Sequence, residues 1–134
     1  MSNDADSVRD YVADDPYCEA LGIELVELGD GSARTELTVD ETHRNFHGTL
    51  HGGAIYSLAD AAFAAASNSR GETAFALEIN VSYLDMAEVG ATLVAEATET
   101  HVGGRTAAYA VDVTADGDRI ATFRGRVYKP ESRE

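Results

Sequence analysis

The stretch "NFHGTLHGGAIYSLADAAFAAASNS", residues 45–69, holds the side chains best suited to chemistry in this sequence. Gly52 and Gly53 follow His51 at the head of an alanine-rich run, and one carboxylate, Asp60, interrupts that run. The first N–H groups of a helix have no partner within it and carry partial positive charge. Glycines at that point leave the backbone open to a substrate carbonyl, and His51 stands beside them as a hydrogen-bond donor, so the helix start reads as an oxyanion site. The plainer reading is that the glycines only let a loop turn into a helix. A carboxylate in an otherwise apolar helix is costly to bury without a partner. Asp60 is therefore either bonded to Ser or Thr groups or turned to a wet interface, or it is a general base or nucleophile aimed at a carbonyl held on the Gly52 N–H.

Distance limits how these groups combine. From Gly52 to Asp60 a helix rises about 12 Å, whereas a base works within about 3 Å of its substrate or through one water. One chain does not readily supply both groups. Two antiparallel copies of the helix in a symmetric homodimer do, each lending Asp60 to the other's helix N-terminus in a shared active site.

Other chemistries find less support. His43, His47 and His51 recur at a spacing that would align metal ligands on a helix, but Asn45, Gly48 and Gly52 argue against helix there and no HExxH acid is present. No metal site is expected. A GxSxG elbow and the Walker and Rossmann glycine patterns are absent from the sequence, so neither a serine hydrolase nor a nucleotide cofactor is expected.

The elements that must position these residues are legible in outline. "GIELVELGDGSARTELTV" reads as two strands, near 22–28 and 33–39, joined at the "GDG" turn. Gly53 to Ser67 is rich in alanine and free of proline and internal glycine, and its apolar residues Ile55, Leu58, Ala59, Ala62, Phe63 and Ala66 cover most of the circumference. Such a helix is buried. From Phe75 the period becomes two, with Phe75, Leu77, Ile79, Val81 and Tyr83 on one face and Glu78, Asn80 and Ser82 on the other. "GG" at 103–104 and "DG" at 116–117 divide three further strands, roughly 91–102, 105–115 and 118–129. The order ββαββββ can satisfy one apolar helix only if the sheet curls around it.

At 134 residues the chain suits one domain. Cys18 is the only cysteine, the acidic start "MSNDADSVRDYVADD" is unlike a signal peptide, and no apolar run is long enough to span a bilayer. These features fit a cytoplasmic protein with no membrane partner. The net charge of −14 opposes binding to nucleic acid. One lysine against nine arginines, with acids in excess, resembles the proteins of salt-in halophiles, and the charge reads as solvation.

The residues from Asn45 to Asp60 closely resemble the hotdog-fold acyl-CoA thioesterases, in the branch named for the phenylacetic-acid pathway, the PaaI type. The pattern of Asn, Gly, His-Gly-Gly and Leu-Ala-Asp matches at Asn45, Gly48, His51, Gly52, Gly53, Leu58, Ala59 and Asp60. The likeness runs from "PYCEALGIELVELGDGSA" through "INVSYLDMAEVGATLVAEA" and "GGRTAAYAVDV" to the last strand. It implies a single α+β hotdog domain over 16–130, with an acidic leader at 1–15, helical or frayed, and a tail at 131–134. It also implies dimers that often pair into tetramers and the hydrolysis of acyl-CoA without a cofactor. In that scheme the Gly52 N–H polarises the thioester carbonyl and the partner's Asp60 activates water or attacks directly. Asn45 and His51 orient substrate or water, with Gly48 and Gly53 beside the substrate. Some relatives place a Ser or Thr helper on the strand after the helix, where this chain has Ala76, with Ser69 and Thr73 nearby. CoA phosphates require cations at the pocket mouth, for which Arg70 and Arg105 are the candidates. The fold also serves hydratases, dehydratases and non-catalytic acyl-CoA binders, but "HGG" followed by "LAD" is the thioesterase arrangement.

Overall fold

A computed structural model describes residues 4–130. Residues 1–3 and the tail at 131–134 lie outside the described residues. The chain forms α1 (Asp4–Ala13), α2 (Pro16–Leu21), β1 (Glu24–Gly29), β2 (Ser32–Thr38), a 3-10 turn (Glu41–His43), α3 (Gly52–Ser67), β3 (Phe75–Tyr83), β4 (Thr92–Val102), β5 (Thr106–Ala115) and β6 (Asp118–Tyr128). From β1 onward this is the expected ββαββββ order. The first strand starts later than its hydrophobic run because α2 occupies part of that run. Asp15 caps α2 by accepting from the Cys18 N–H, Pro16 opens it, and Gly22, in the left-handed region at φ 81°, closes it.

The six strands form one antiparallel sheet in the order β1-β2-β4-β5-β6-β3. Helix α3 touches all six, so the sheet curls around it and the arrangement is the hotdog fold. The inward residues are small where the helix comes close and large where it leaves room. Ala95 and Ala97 on β4 face the interior alongside Val111 and Val113 on β5, and all four are buried. Phe63 reaches from α3 to stack edge-on against Tyr109, with ring centroids 5.8 Å apart, and lies 5.5 Å from the Phe123 ring.

β3 departs from the clean alternation of its sequence. Phe75 and Leu77 are 58% and 51% exposed, and Ile79 and Val81 are only half-buried. A bulge between Ala76 and Glu78 shifts the register, and the strand stands at the end of the sheet, past the cover that α3 provides. Its apolar residues are thus a strand's inner face with little inside to meet.

Gly125 on β6 is fixed by Phe63. A Cβ at this position would lie 2.6 Å from Phe63 Cζ, inside the packed core. Gly125→Ala should therefore destabilise the fold by about 1–3 kcal/mol, the usual cost of overpacking, measured by urea denaturation. An unchanged midpoint would mean that the aromatic cluster can move aside.

Candidate active site

The start of α3 is prepared by the loop before it. Asn45 accepts with Oδ1 from the N–H groups of His47 and Thr49 and from Thr49 Oγ, while its own N–H donates to the Thr49 carbonyl at 2.7 Å. Gly48 turns this loop at φ +85°, a conformation that a larger residue would strain to adopt. An isolated bridge between Arg44 and Leu50 closes it. The Nδ2 donors of Asn45 have no partner among the described residues, so the side chain can both shape the loop and donate outward. Gly48 acts here through its turn.

The three histidines go separate ways, and no group of residues able to hold a metal ion occurs among the described residues. His43 is buried; its Nδ1 accepts from the Asp40 N–H at 2.9 Å and its Nε2 lies 2.7 Å from the Leu21 carbonyl oxygen. His47 is exposed beside the Phe46 ring, with centroids 4.1 Å apart. His51 caps α3, its Nδ1 accepting from the Gly53 N–H at 2.7 Å.

That cap corrects one expectation. The sequence suggests that the Gly52 and Gly53 amides are both open to substrate, but His51 occupies the second. Gly53 is a glycine because a Cβ there would lie 2.9 Å from His51 Nδ1. α3 accordingly begins at Gly52, whose N–H has no partner among the described residues. With its Nδ1 accepting, a neutral His51 carries its proton on Nε2, where it can donate beside that free amide. Tyr83, on β3, completes the corner by donating from its hydroxyl to the Gly52 carbonyl at 3.1 Å, and its ring would stand 3.3 Å from a Cβ on Gly52. Tyr83 thus holds the Gly52 carbonyl and leaves a side chain at position 52 only tight contact with its ring.

Asp60 lies half-buried on α3, and no described residue donates a hydrogen bond or forms an ion pair with its carboxylate. The helix serines that could have tethered it are engaged elsewhere. Ser57 shares a 2.9 Å hydrogen bond with the Tyr17 hydroxyl, and Ser67 donates to the Ala64 carbonyl. Burial, then the charge of Asp15, push the Asp60 carboxyl above its ordinary range. Nearby Cys18 is pushed up to about 12, first by burial and then by Asp15 and Asp60, so its thiol is inert.

The two candidate CoA-binding arginines sit in different settings. Arg70, just beyond α3, forms a two-pronged pair with Glu99 at 2.9 and 3.0 Å, and Glu99 also accepts from the Tyr109 hydroxyl at 2.8 Å. Arg105 donates to the Pro130 carbonyl at 3.1 Å and has no carboxylate partner among the described residues. Ser69, one of the possible helpers, accepts from the Gly31 N–H at 2.8 Å, whereas Thr73 remains exposed.

Residues 47–132 match the Thioesterase superfamily. A putative esterase of Archaeoglobus fulgidus is 41% identical over 124 residues, covering 91% of this chain and 80% of its own. The acyl-coenzyme A thioesterase PaaI of Escherichia coli is 35% identical over 116 residues, covering 86% and 83%. A structure of the phenylacetic acid degradation protein PaaI of Thermus thermophilus superposes with a TM-score of 0.83 at 43% identity, covering 86% of this chain and 99% of that one. The chain belongs to the thioesterase superfamily. It is a thioester hydrolase of the PaaI type.

Within this thioesterase the helix-start motif and Asp60 were visible in the sequence, but Tyr83 was not, because only the fold brings β3 against Gly52. The unpaired Asp60 has a measurable consequence. Its pKa is higher in the folded chain than in the unfolded one, so the ionised carboxylate costs stability at neutral pH, and this cost fades as pH falls through the raised folded value and is gone below the unfolded value of about 4. Asp60→Asn should therefore melt above the parent protein at neutral pH, with the gain vanishing by about pH 3. A lower melting temperature at neutral pH would reveal a stabilising bond to the carboxylate.

Proposed function

We propose that this thioesterase hydrolyses acyl-CoA to the free acid and CoA in sites shared between two copies of the chain. The observation that carries this reading is the pairing of an unpartnered Gly52 N–H with an unpartnered, half-buried Asp60 on one helix, about 12 Å apart along its axis. The thioester oxygen accepts from the Gly52 N–H, with His51 Nε2 and Asn45 Nδ2 as further donors at the same corner. The partner's Asp60 takes a proton from water as the water oxygen bonds to the carbonyl carbon. The tetrahedral adduct then releases CoA as its C–S bond breaks, and the proton passes to the sulfur. Direct attack by Asp60 would give an anhydride that water opens to the same products. A single turnover in 18O-labelled water separates these routes, since only the anhydride route can leave label on Asp60.

The free edge of β3 supports the dimer. Two β3 strands paired antiparallel about a two-fold axis would cover Phe75 and Leu77. α3 runs opposite to β3, because Tyr83 bonds at Gly52 while the Ala74 N–H donates to Asn68 Oδ1 at the other end. For the partner's Asp60 to reach the Gly52 N–H, the two-fold must pass beside the Gly52–Asp60 half of α3, so that this half of one helix runs antiparallel to the same half of the other. It also places Arg105 of one chain near the Gly52 corner of its partner, where CoA phosphates would emerge. Arg70 lies on the same side, but Glu99 offsets its charge, so Arg105 is the stronger phosphate ligand of the two. Pairing of such dimers into a tetramer, a cytoplasmic location and adaptation to high salt belong to the same reading. No helix among the described residues is long and apolar enough to cross a membrane.

Mixing chains tests the shared site. Asp60→Asn alone should lose at least about a hundredfold in turnover, the lower range for a general base. Chains carrying Asp60→Asn and chains carrying His51→Ala should recover about one quarter of wild-type activity after subunit exchange, since half the dimers are mixed and each holds one intact site. Mixtures that exchange by mass spectrometry yet stay inactive would place the whole site within one chain. The halophile reading predicts that activity holds in molar salt and declines on dialysis to low salt, as carboxylate repulsion is unscreened.

A further inference from the structure

The sheet leaves one stripe of α3 incompletely covered, made of Gly52, Gly53, Tyr56, Asp60, Ala61 and Ala64 at the three- and four-residue spacing of a single helix face. Apart from the Asp60 carboxylate, the only polar side-chain group on that stripe is the hydroxyl of Tyr56. Tyr56 stands one turn after Gly52 and one turn before Asp60, about 6 Å along the axis from each. Its ring meets the Phe123 ring edge-on, with centroids 5.7 Å apart. Its hydroxyl has no hydrogen-bond partner among the described residues. Burial, then the charges of Asp60 and Tyr83, push the phenol above its ordinary range, so it keeps its proton and remains a donor.

A two-fold axis that brings the partner's Asp60 to the Gly52 N–H passes midway between those two positions, which is at Tyr56. The two stripes then face each other antiparallel, Gly52 against Asp60 and Tyr56 against Tyr56. A helical side chain covers the turn N-terminal to its own Cα, and Tyr83, which bonds to the Gly52 carbonyl there, acts on the Tyr56 phenol. The hydroxyl therefore points to the place where the partner's carboxylate arrives, whereas its own Asp60 lies one turn the other way.

We infer that Tyr56 is a positioning residue of the shared site, its hydroxyl donating to the carboxylate of the partner's Asp60 and holding one oxygen so that the other faces the attacking water. The proposal rests on the shared-site reading above and adds the group that aims the base. The other titratable groups facing this corner are Asp15 and Cys18 beside Asp60, Tyr83 on β3 and His51 at the helix start. Asp15 repels the Asp60 charge and the Cys18 thiol is neutral, so neither offers it support. Once a second chain covers the stripe, the carboxylate loses water and needs a donor. A phenol supplies one without cancelling the charge, so the base stays ionised and oriented.

Tyr56→Phe keeps the ring on Phe123 and removes only the hydroxyl. With an acyl-CoA that the wild-type enzyme hydrolyses, kcat should fall about tenfold while KM changes by less than about threefold, since one hydrogen bond to a charge is lost and no substrate contact. That bond favours the ionised form of Asp60, so its loss raises the carboxyl pKa, and the acid limb of the kcat/KM profile should move up by about one pH unit. A ring that only packs would leave the profile where it is. Two reciprocal mixtures then locate the carboxylate that Tyr56 serves. Chains carrying His51→Ala with Tyr56→Phe, exchanged with Asp60→Asn chains, form one competent site, in which Asp60 of the first chain meets Tyr56 of the second. That site should show the wild-type pH profile. Chains carrying Asp60→Asn with Tyr56→Phe, exchanged with His51→Ala chains, bring the altered position into the competent site, which should show the shifted profile. An unshifted profile in Tyr56→Phe itself, or the opposite profiles in the two mixtures, would overturn the role of Tyr56 and leave the shared site standing. Mixtures that exchange yet gain no activity in either combination would overturn the shared site.

Discussion

A helix that is apolar around nearly its whole circumference has to be covered on every side, and most of this fold follows from that demand. Ten of the sixteen residues of α3 are buried, and one flat sheet could cover only one of its faces. The sheet therefore wraps, and the strands nearest the helix carry small residues so that the wrap can close. Ala95, Ala97, Ala107 and Gly125 are inward-facing for this reason. Where the sheet ends, at β3 on one side and β1 on the other, the cover runs out. The N-terminal arm fills one gap with α1 and α2. The other is left to exposed apolar residues on β3.

The candidate functional groups lie where that cover is incomplete. The N-terminus of α3 emerges at the Asn45–His51 loop and keeps one amide free, although a buried end would need every amide satisfied. His51 and Gly52 divide the work there. One imidazole nitrogen stabilises the helix by capping the Gly53 N–H, and the preceding amide, that of Gly52, has no partner among the described residues, while Tyr83 holds the Gly52 carbonyl. A helix end capped at both amides would be more stable and chemically inert. Asp60 shows the same compromise, a carboxylate kept partly desolvated with no donor to stabilise its charge.

The parts legible in the sequence were those set by local rules. The "GDG" turn, the alanine-rich helix and the Gly-marked hairpins each depend on a few adjacent residues, and all stand close to where the sequence puts them. Residues 45–60 announced a helix-start site because glycine pairs and a lone acid are exceptional in such a setting. What stayed hidden depends on contacts between segments distant in the chain. The left-handed Gly22 that ends α2 looked like the start of a strand, since a short helix and a strand share an apolar run. The alternation in β3 was real as a pattern, yet it did not predict burial, because its edge position comes from the topology. Tyr83 against Gly52 and Glu99 against Arg70 span 31 and 29 residues of sequence and have no local signature.

Charge gives the last constraint. In a chain with 24 acids and 10 lysines and arginines, most of the described cations are neutralised close at hand. Arg34 meets Glu27, Arg44 meets Glu41, Arg119 meets Asp112 and Arg126 meets Glu78, while Lys129, although buried, meets Glu72. A polyanionic cofactor tail approaching this surface therefore finds little unspent positive charge. Arg105 is an exception, since its guanidinium bonds to a carbonyl oxygen and leaves its charge uncompensated. Surface pairs contribute little to stability, so the pairing matters more for where an anion can bind than for how tightly the fold holds. Arg9, bonded to the Leu25 carbonyl, and the exposed Arg124 likewise meet no carboxylate among the described residues, so only a few cations on this acidic surface are left open to an anion.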